Sequence, residues 1–272
     1  MKLELQKFDI TNIKSDNVVV LIGKRGTGKS FLVKDLLYYH TDLPIGTVVS
    51  GTEGANSFYG NFVPNAFIHE EVDPQLVENI IKRQKLVMKK LNREKVSYGS
   101  SKIDPRSFII LDDCLYDSSW AKDKNIRSIF MNGRHLKLFF IITMQYPLGI
   151  PPNLRTNIDF VFILRENIVG NRKRIYENYA GMFPSFEVFC QVMDQCTENY
   201  ECLVINNTSN SNKLNDCVFW YKANEHEEYQ IGSKQFWLNN KNEEDDNSDE
   251  EFDPSMFKSK RNNTKINVLK GN

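Results

Sequence analysis

Val18-Val19-Val20-Leu21-Ile22 runs directly into Gly23-Lys24-Arg25-Gly26-Thr27-Gly28-Lys29-Ser30, and Phe31-Leu32-Val33-Lys34-Asp35-Leu36-Leu37 follows with helical spacing. No other stretch of the chain constrains its fold as tightly. An apolar strand, a glycine loop and a helix, in that order, form a phosphate-binding loop. The glycines let successive backbone N–H groups converge on one anion, and the helix presents its positive end to the same place. The residues from Gly23 to Ser30 would wrap a triphosphate, with Lys29 on its outer phosphates and the Ser30 hydroxyl on Mg²⁺. A loop of this kind implies a nucleoside triphosphate without specifying the reaction. The plain alternative is a tight turn with Lys29 merely exposed.

With 272 residues, 40% of them hydrophobic, the chain can bury the core of one large α/β domain. Its formal net charge is zero, so contact with a polyanion must come from local patches. The longest apolar run, near Leu138 to Met144, is too short to span a bilayer. Met1 to Leu5 lacks the long apolar segment of a signal peptide. These features predict a soluble protein of a reducing compartment, not a secreted one. Cys114, Cys190, Cys196, Cys202 and Cys217 form no Cys-x-x-Cys pair, and the four histidines are scattered, so free thiols are expected.

Strand-like and helix-like runs alternate along the chain, which predicts a mostly parallel sheet covered by helices. Strands are expected at Gly46–Ser50, Ala66–His69, Ser107–Leu111, Leu138–Met144 and Asp159–Leu164. Thr52 to Pro64 is rich in Gly, Asn and Ser and reads as a loop. Apolar residues at three- and four-residue steps predict a helix from Pro74 to Lys95. Its opposite face carries Lys82, Arg83, Lys85, Lys89, Lys90 and Arg93. A connection follows over Val96–Arg106, then a helix from about Trp120 to His135. Helical spacing returns between Asn167 and Gln195, broken around Pro184. Cys202–Ile205 and Cys217–Tyr221 suggest an edge hairpin with a polar turn at Asn207–Asn215. The folded domain is expected to cover 1–238. The blocked charges of 239–272 predict a disordered tail.

Further residues complete a nucleotide site. The strand ending in Asp112-Asp113 would place Asp112 where it can hold Mg²⁺ through the ion's water shell. Asp113, one residue on, could accept a proton from a water attacking the γ-phosphate. Gln145 ends the next strand and could report on the γ-phosphate, with Thr143 on its side of a period-two strand. Positive charge for the transition state is commonly supplied by a neighbouring subunit's arginine. Arg134 is the first candidate, with Arg155 and Arg165 behind it; Arg25 could act within its own loop. Each of these residues could instead be an ordinary turn, cap or surface group.

The glycine loop with arginine at its third position, the strand ending in Asp112-Asp113, and Phe140-Ile141-Ile142-Thr143-Met144-Gln145 occur in this order and spacing in one family. In these features, and in Asn132-Gly133-Arg134-His135, the chain resembles the genome-packaging ATPases of large nucleocytoplasmic DNA viruses. These are the poxvirus and mimivirus type, within the FtsK–HerA superfamily of P-loop NTPases. The resemblance covers roughly Phe8 to Asn207. It implies an α/β P-loop fold, ATP and Mg²⁺ as ligands, and ring-forming subunits that translocate double-stranded DNA without reading its sequence. It also implies capsid or portal partners and a place in the host cytoplasm or the virion. It assigns Lys29 and Ser30 to phosphate and metal, Asp112 to metal, Asp113 to water activation, Gln145 to sensing and Arg134 to action in trans. Many cellular members carry Asp-Glu where this chain has Asp112-Asp113. The basic helix face, the connection after it and Arg172-Lys173-Arg174 are the candidate DNA contacts. A small-molecule kinase and a nucleotide-gated scaffold are the competing readings.

Overall fold

Val18, Val20 and Ile22 point to one side of their strand, Val19 and Leu21 to the other, and all five are buried. A strand apolar on both faces belongs in the centre of a helix-covered sheet. The computed structural model, which describes residues 3–114, 120 and 122–239, places it there. In chain order the elements are β1 Val18–Ile22, α1 Lys29–Tyr38, β2 Gly46–Ser50, α2 Glu53–Asn56, β3 Ile68–His69, α3 Pro74–Tyr98, β4 Ser107–Asp112 and α4 Lys124–Asn132. They continue as β5 Leu138–Met144, α5 Pro152–Arg155, β6 Phe160–Ile163, α6 Val169–Tyr179, α7 Phe186–Cys196, β7 Glu201–Asn206, α8 Leu214–Cys217 and β8 Val218–Lys222.

The eight strands form one sheet in the order β3-β2-β4-β5-β1-β6-β7-β8. All pairings are parallel through β6; β7 and β8 are antiparallel, as the edge hairpin predicts. Register pairs Val20 with Ile142 on one side and with Val161 on the other. One face packs against Leu32, Val33, Leu36 and Leu37 of α1, together with Tyr59, Phe62 and Phe67. The other packs against α3, α4, α6 and α7, through residues such as Ile81, Phe130, Ile175 and Phe189. Full burial of each such side chain contributes about 1.5–3 kcal/mol, so the two apolar layers dominate stability.

Caps fix the helix ends. The Asp73 carboxylate accepts from the Gln75 N–H before Pro74 opens α3, and Gly99, at φ 76°, ends it. Asp123 starts α4 by accepting from the N–H groups of Asn125 and Ile126. Ser185 starts α7 beyond Pro184, so the expected break in the 167–195 helix is real.

Three expectations are revised. The 52–64 segment is not plain loop: it contains α2 and a single turn at Tyr59–Asn61, and it buries Glu53 and Tyr59. The strand at 66–69 shortens to β3 because a helical turn occupies Asn65–Phe67. The helix expected over 120–135 is α4, with turns on to β5; residues 115–119 and 121 lie outside the described ones, as does the tail from 240 onward.

Both sheet edges are protected against further pairing. β3 is two residues long, and the N-terminal segment lies along β8, with Phe8 N–H donating to the Trp220 carbonyl at 2.8 Å. After β8 the chain crosses α1 and the β2 side of the molecule as a strap. Ile231, Gly232 and Ser233 donate backbone bonds to Phe62, Leu43 and Pro44. Its anchor is the fully buried Asp35 carboxylate of α1, which accepts from Tyr221 at 2.6 Å and contacts His226 at 2.5 Å.

Candidate nucleotide-binding site

The loop after β1 lies at the carboxyl ends of the parallel strands, where open α/β sheets bind ligands. Its backbone requires glycine at Gly26 and Gly28, with φ of 77° and 96°. Gly23 requires it by contact: a Cβ there would stand 2.8 Å from that of Leu164. Gly28 precedes α1 and gives no side-chain cap, which leaves the first N–H groups of the helix available to an anion. Lys29 is buried, and its ammonium folds back to donate to the carbonyls of Gly23 (2.7 Å) and Lys24 (3.1 Å). Burial draws its pKa below the usual lysine value, while Asp113 and Asp112 act in the opposite sense.

β4 brings the carboxylates up to this loop. The Ser30 hydroxyl lies 3.4 Å from Asp112 Oδ2. Tyr59 donates to that same oxygen at 2.7 Å, and Thr143 donates to Oδ1 at 2.6 Å. A hydroxyl and a carboxylate facing each other suit Mg²⁺, which takes hard oxygen ligands and keeps several waters. Asp113 is exposed and turns out of the strand at φ 54°, an unusual conformation for a side-chain-bearing residue. Its N–H donates to the Thr143 hydroxyl at 3.0 Å, and its carboxylate accepts from the Gln145 amide. Asp112, Thr143, Asp113 and Gln145 thus form one connected chain across the ends of β4 and β5.

Sequence reasoning missed two residues. Tyr59 lies in a segment read as loop, and no local pattern marks it. Burial, and then Asp112 beside it, push its phenol well above the ordinary range, so it remains a donor. Glu53 fixes Tyr59 in place by accepting from its N–H at 3.0 Å and from that of Gly60 at 2.7 Å. Glu166, buried just past β6, is the second. Its carboxylate lies 2.9 Å from the ammonium of loop residue Lys24 and accepts from the Ile168 N–H (2.8 Å) and Asn171 (2.9 Å). Burial opposes its charge, but these donors outweigh it and hold its carboxyl below the usual range. Cys114 follows the aspartates; burial first, then Asp112, pushes its thiol up to about 12, so it stays protonated.

The arginines are not gathered together. Arg25 and Arg165 are exposed at the nucleotide end. Arg134 precedes β5, at the opposite end of the sheet, and pairs with Asp159 at 2.6 Å. Asp159 in turn accepts from the Val18 N–H at the start of β1. Five residues of extended strand, about 17 Å, separate that end from the loop, so Arg134 does not serve the site of its own chain. Arg155 donates to the Ile150 carbonyl at 2.9 Å and lies over the Tyr179 ring, in the packing around α5 and α6.

The basic segments are also partly committed. Arg172 is tied to Asp194 at 2.7 Å and Arg174 lies over Tyr146, which leaves Lys173 as the exposed member of its triplet. On α3, Arg83 turns to the buried Gln84, whose amide donates to the Pro105 and Leu136 carbonyls. Lys82, Lys85, Lys89, Lys90 and Arg93 remain exposed.

Residues 5–233 match the family described as Poxvirus A32 protein. An uncharacterized protein of Acanthamoeba polyphaga mimivirus is 42% identical over 236 residues, covering 86% of this chain and 82% of its own. An uncharacterized protein of Invertebrate iridescent virus 3 is 40% identical over 206 residues, covering 75% of each chain. Among solved structures, the genome packaging NTPase of Sulfolobus turreted icosahedral virus 2, in complex with AMPPCP, superposes with a TM-score of 0.54. It is 16% identical, and the match covers 78% of this chain and all of that one. The EssC ATPases 2 and 3 of Geobacillus thermodenitrificans superpose at 0.53 with 16% identity, covering 85% of this chain and 43% of that one. At such identities the structural likeness defines the fold: a P-loop α/β sheet. With nearly the whole described domain matched, and viral relatives at about two-fifths identity, the chain belongs to the Poxvirus A32 protein family.

Proposed function

We propose that the chain hydrolyses ATP to move double-stranded DNA into a viral capsid, working as a ring of identical subunits. The observation that carries this reading is the placement of Asp113. It is an exposed carboxylate beside the phosphate loop, held by Thr143 and Gln145, next to Asp112 and Ser30. A kinase needs an acceptor hydroxyl there; a hydrolase needs a base and a residue that senses a water. The likeness to a viral genome packaging NTPase, together with the family match, supports the viral packaging role.

In this reading Lys29 leaves its loop carbonyls for the outer phosphates, and the N–H groups of the loop and α1 receive the rest. Ser30 and Asp112 hold Mg²⁺, which supplies charge neutralisation on the phosphates. Asp113 orients the attacking water and takes its proton, and Gln145 follows the state of Asp113 through their shared bond. Arg134 belongs to the site of a neighbour whose nucleotide end meets this chain's opposite end. The lysines of α3 would touch DNA phosphates, a contact independent of sequence and weakened by salt.

The test is ATP hydrolysis by the purified protein with and without duplex DNA, at several protein concentrations. The expected result is turnover that rises with protein concentration and with DNA, and declines with salt. Turnover indifferent to duplex DNA at every concentration would refute translocation while leaving hydrolysis standing.

A further inference from the structure

We infer that the cavity between α1 and the β7–β8 hairpin is the seat of the nucleotide's base, and that it takes purines by stacking with little choice between adenine and guanine. This rests on the phosphate-loop reading above. The cavity, about 470 Å³, opens directly off the loop, with Gly28 in its wall. That volume lies within the usual range for small-molecule sites, about 300–1,000 Å³. Its floor is apolar: Leu32 and Leu164 are each 2% exposed.

Two aromatic rings stand at its sides. Phe31, two residues past Lys29, is 42% exposed, and Tyr200, in the turn before β7, is 70% exposed. Neither ring pairs with another aromatic among the described residues. Tyr200 lies against the loop itself, since a Cβ added at Gly28 would meet its Cδ1 at 3.4 Å. It is held there by an unusual turn: Asn199 and Tyr200 both have left-handed backbones, φ 50° and 64°. A nucleotide whose phosphates occupy the loop must place its ribose and base within a few ångströms of it, and this cavity is apolar, flanked by rings and contiguous with the loop. Stacking accepts any base and favours the larger ring. At the rim Lys222 offers donors and Glu225 acceptors. Both purines present a donor and an acceptor on their edges, so this rim separates them weakly.

Calorimetric titration with ADP, GDP, CDP and inorganic pyrophosphate, all with Mg²⁺, tests the assignment. Pyrophosphate fills the loop and leaves the cavity alone. The wild type should bind ADP at least about tenfold more tightly than pyrophosphate, the size expected for a base–aromatic stack. GDP should bind nearly as well as ADP, and CDP more weakly than both. Tyr200→Ala and Phe31→Ala should each reduce ADP affinity by about tenfold while leaving pyrophosphate affinity unchanged, and Tyr200→Phe should retain the wild-type value. Tyr200 is a surface residue, so its variants remain informative if Phe31→Ala proves unstable. Equal losses for ADP and pyrophosphate, or unchanged ADP affinity in the alanine variants, would overturn the base assignment alone. Failure of the wild type to bind either ligand would overturn the phosphate-loop reading, and the base assignment with it.

Discussion

Asp113 combines exposure, a left-handed backbone and bonds to two β5-end residues, and these properties belong together. A carboxylate kept in the strand direction would be buried between sheet and helix, as Asp112 is. Turning out of the strand puts its oxygens in water while Thr143 holds its N–H. If it serves as the base, Asp113→Asn should lower turnover by about 10²–10⁴-fold, the usual range for a positioned proton acceptor, with nucleotide affinity little changed. Comparable loss in affinity and turnover would argue for a structural role instead. His40 makes a different prediction at this scale. It lies buried against Phe139, and burial lowers its pKa to about 4, with Asp42 opposing and Arg106 reinforcing the shift. Below about pH 6.5 the unfolded chain takes up a proton that the folded chain refuses until about pH 4. Stability is therefore lost as the pH falls across that window, by about 1.4 kcal/mol per unit at most. His40→Gln should show a shallower decline in urea midpoint between pH 7 and 4.5; parallel declines in the two proteins would rule this out.

At the scale of elements, the turn from β6 into α6 links the phosphate loop to the far face of the sheet. Glu166 anchors it on both sides, holding Lys24 of the loop and, at the start of α6, the Ile168 N–H and the Asn171 side-chain amide. Its backbone carbonyl also accepts from Arg172, and Arg174 lies over Tyr146, next to Gln145. The start of α6 is thus in contact with two segments that border the phosphates. Glu166→Gln keeps the shape but loses the charge-assisted bond, which is about twice as strong as a neutral one. The expected outcome is a KM for ATP raised about threefold to tenfold, with kcat and melting temperature close to wild type. A fall in melting temperature with KM unchanged would make Glu166 a purely architectural residue.

For the whole molecule, the proposed ring makes a prediction about the arginine positions. Arg134 stands at the end of the sheet remote from its own loop. α3, with 25 residues, is about 37 Å long against about 20 Å for a six-residue strand, so its basic second half projects beyond the sheet at that same end. Leu86, Val96 and Tyr98 are exposed on it, at 67%, 88% and 80%. A head-to-tail ring would bring this end to the next copy's nucleotide. Mixing Arg134→Ala with Lys29→Ala subunits, each inactive alone, should therefore restore part of the turnover at sites with an intact loop and a neighbour's arginine. No recovery from folded, assembled mixtures would exclude Arg134 from that role and point to Arg165 or Arg25.

Much of this protein is legible in the chain before it folds. Gly23 to Ser30 could be read because phosphate binding by backbone N–H groups needs glycines at fixed local spacing. The strands ending at Asp112 and Met144 could be read because a strand buried on both faces is a continuous apolar run. Local rules end where contacts become distant. Tyr59 reaches Asp112 across 53 positions, and Lys24 reaches Glu166–Asn167 across about 143. Arg134 is expected from the sequence to act across a subunit boundary, and its distance from its own loop, set by the length of β5, becomes visible only in the fold. The sequence determined the phosphate loop, the parallel core and the order of the carboxylates, because those follow from backbone conformation and periodicity. Tertiary structure alone decided which polar side chains meet over the loop and which arginine lies at the far end of the sheet, because such meetings depend on the order and direction in which strands are laid side by side.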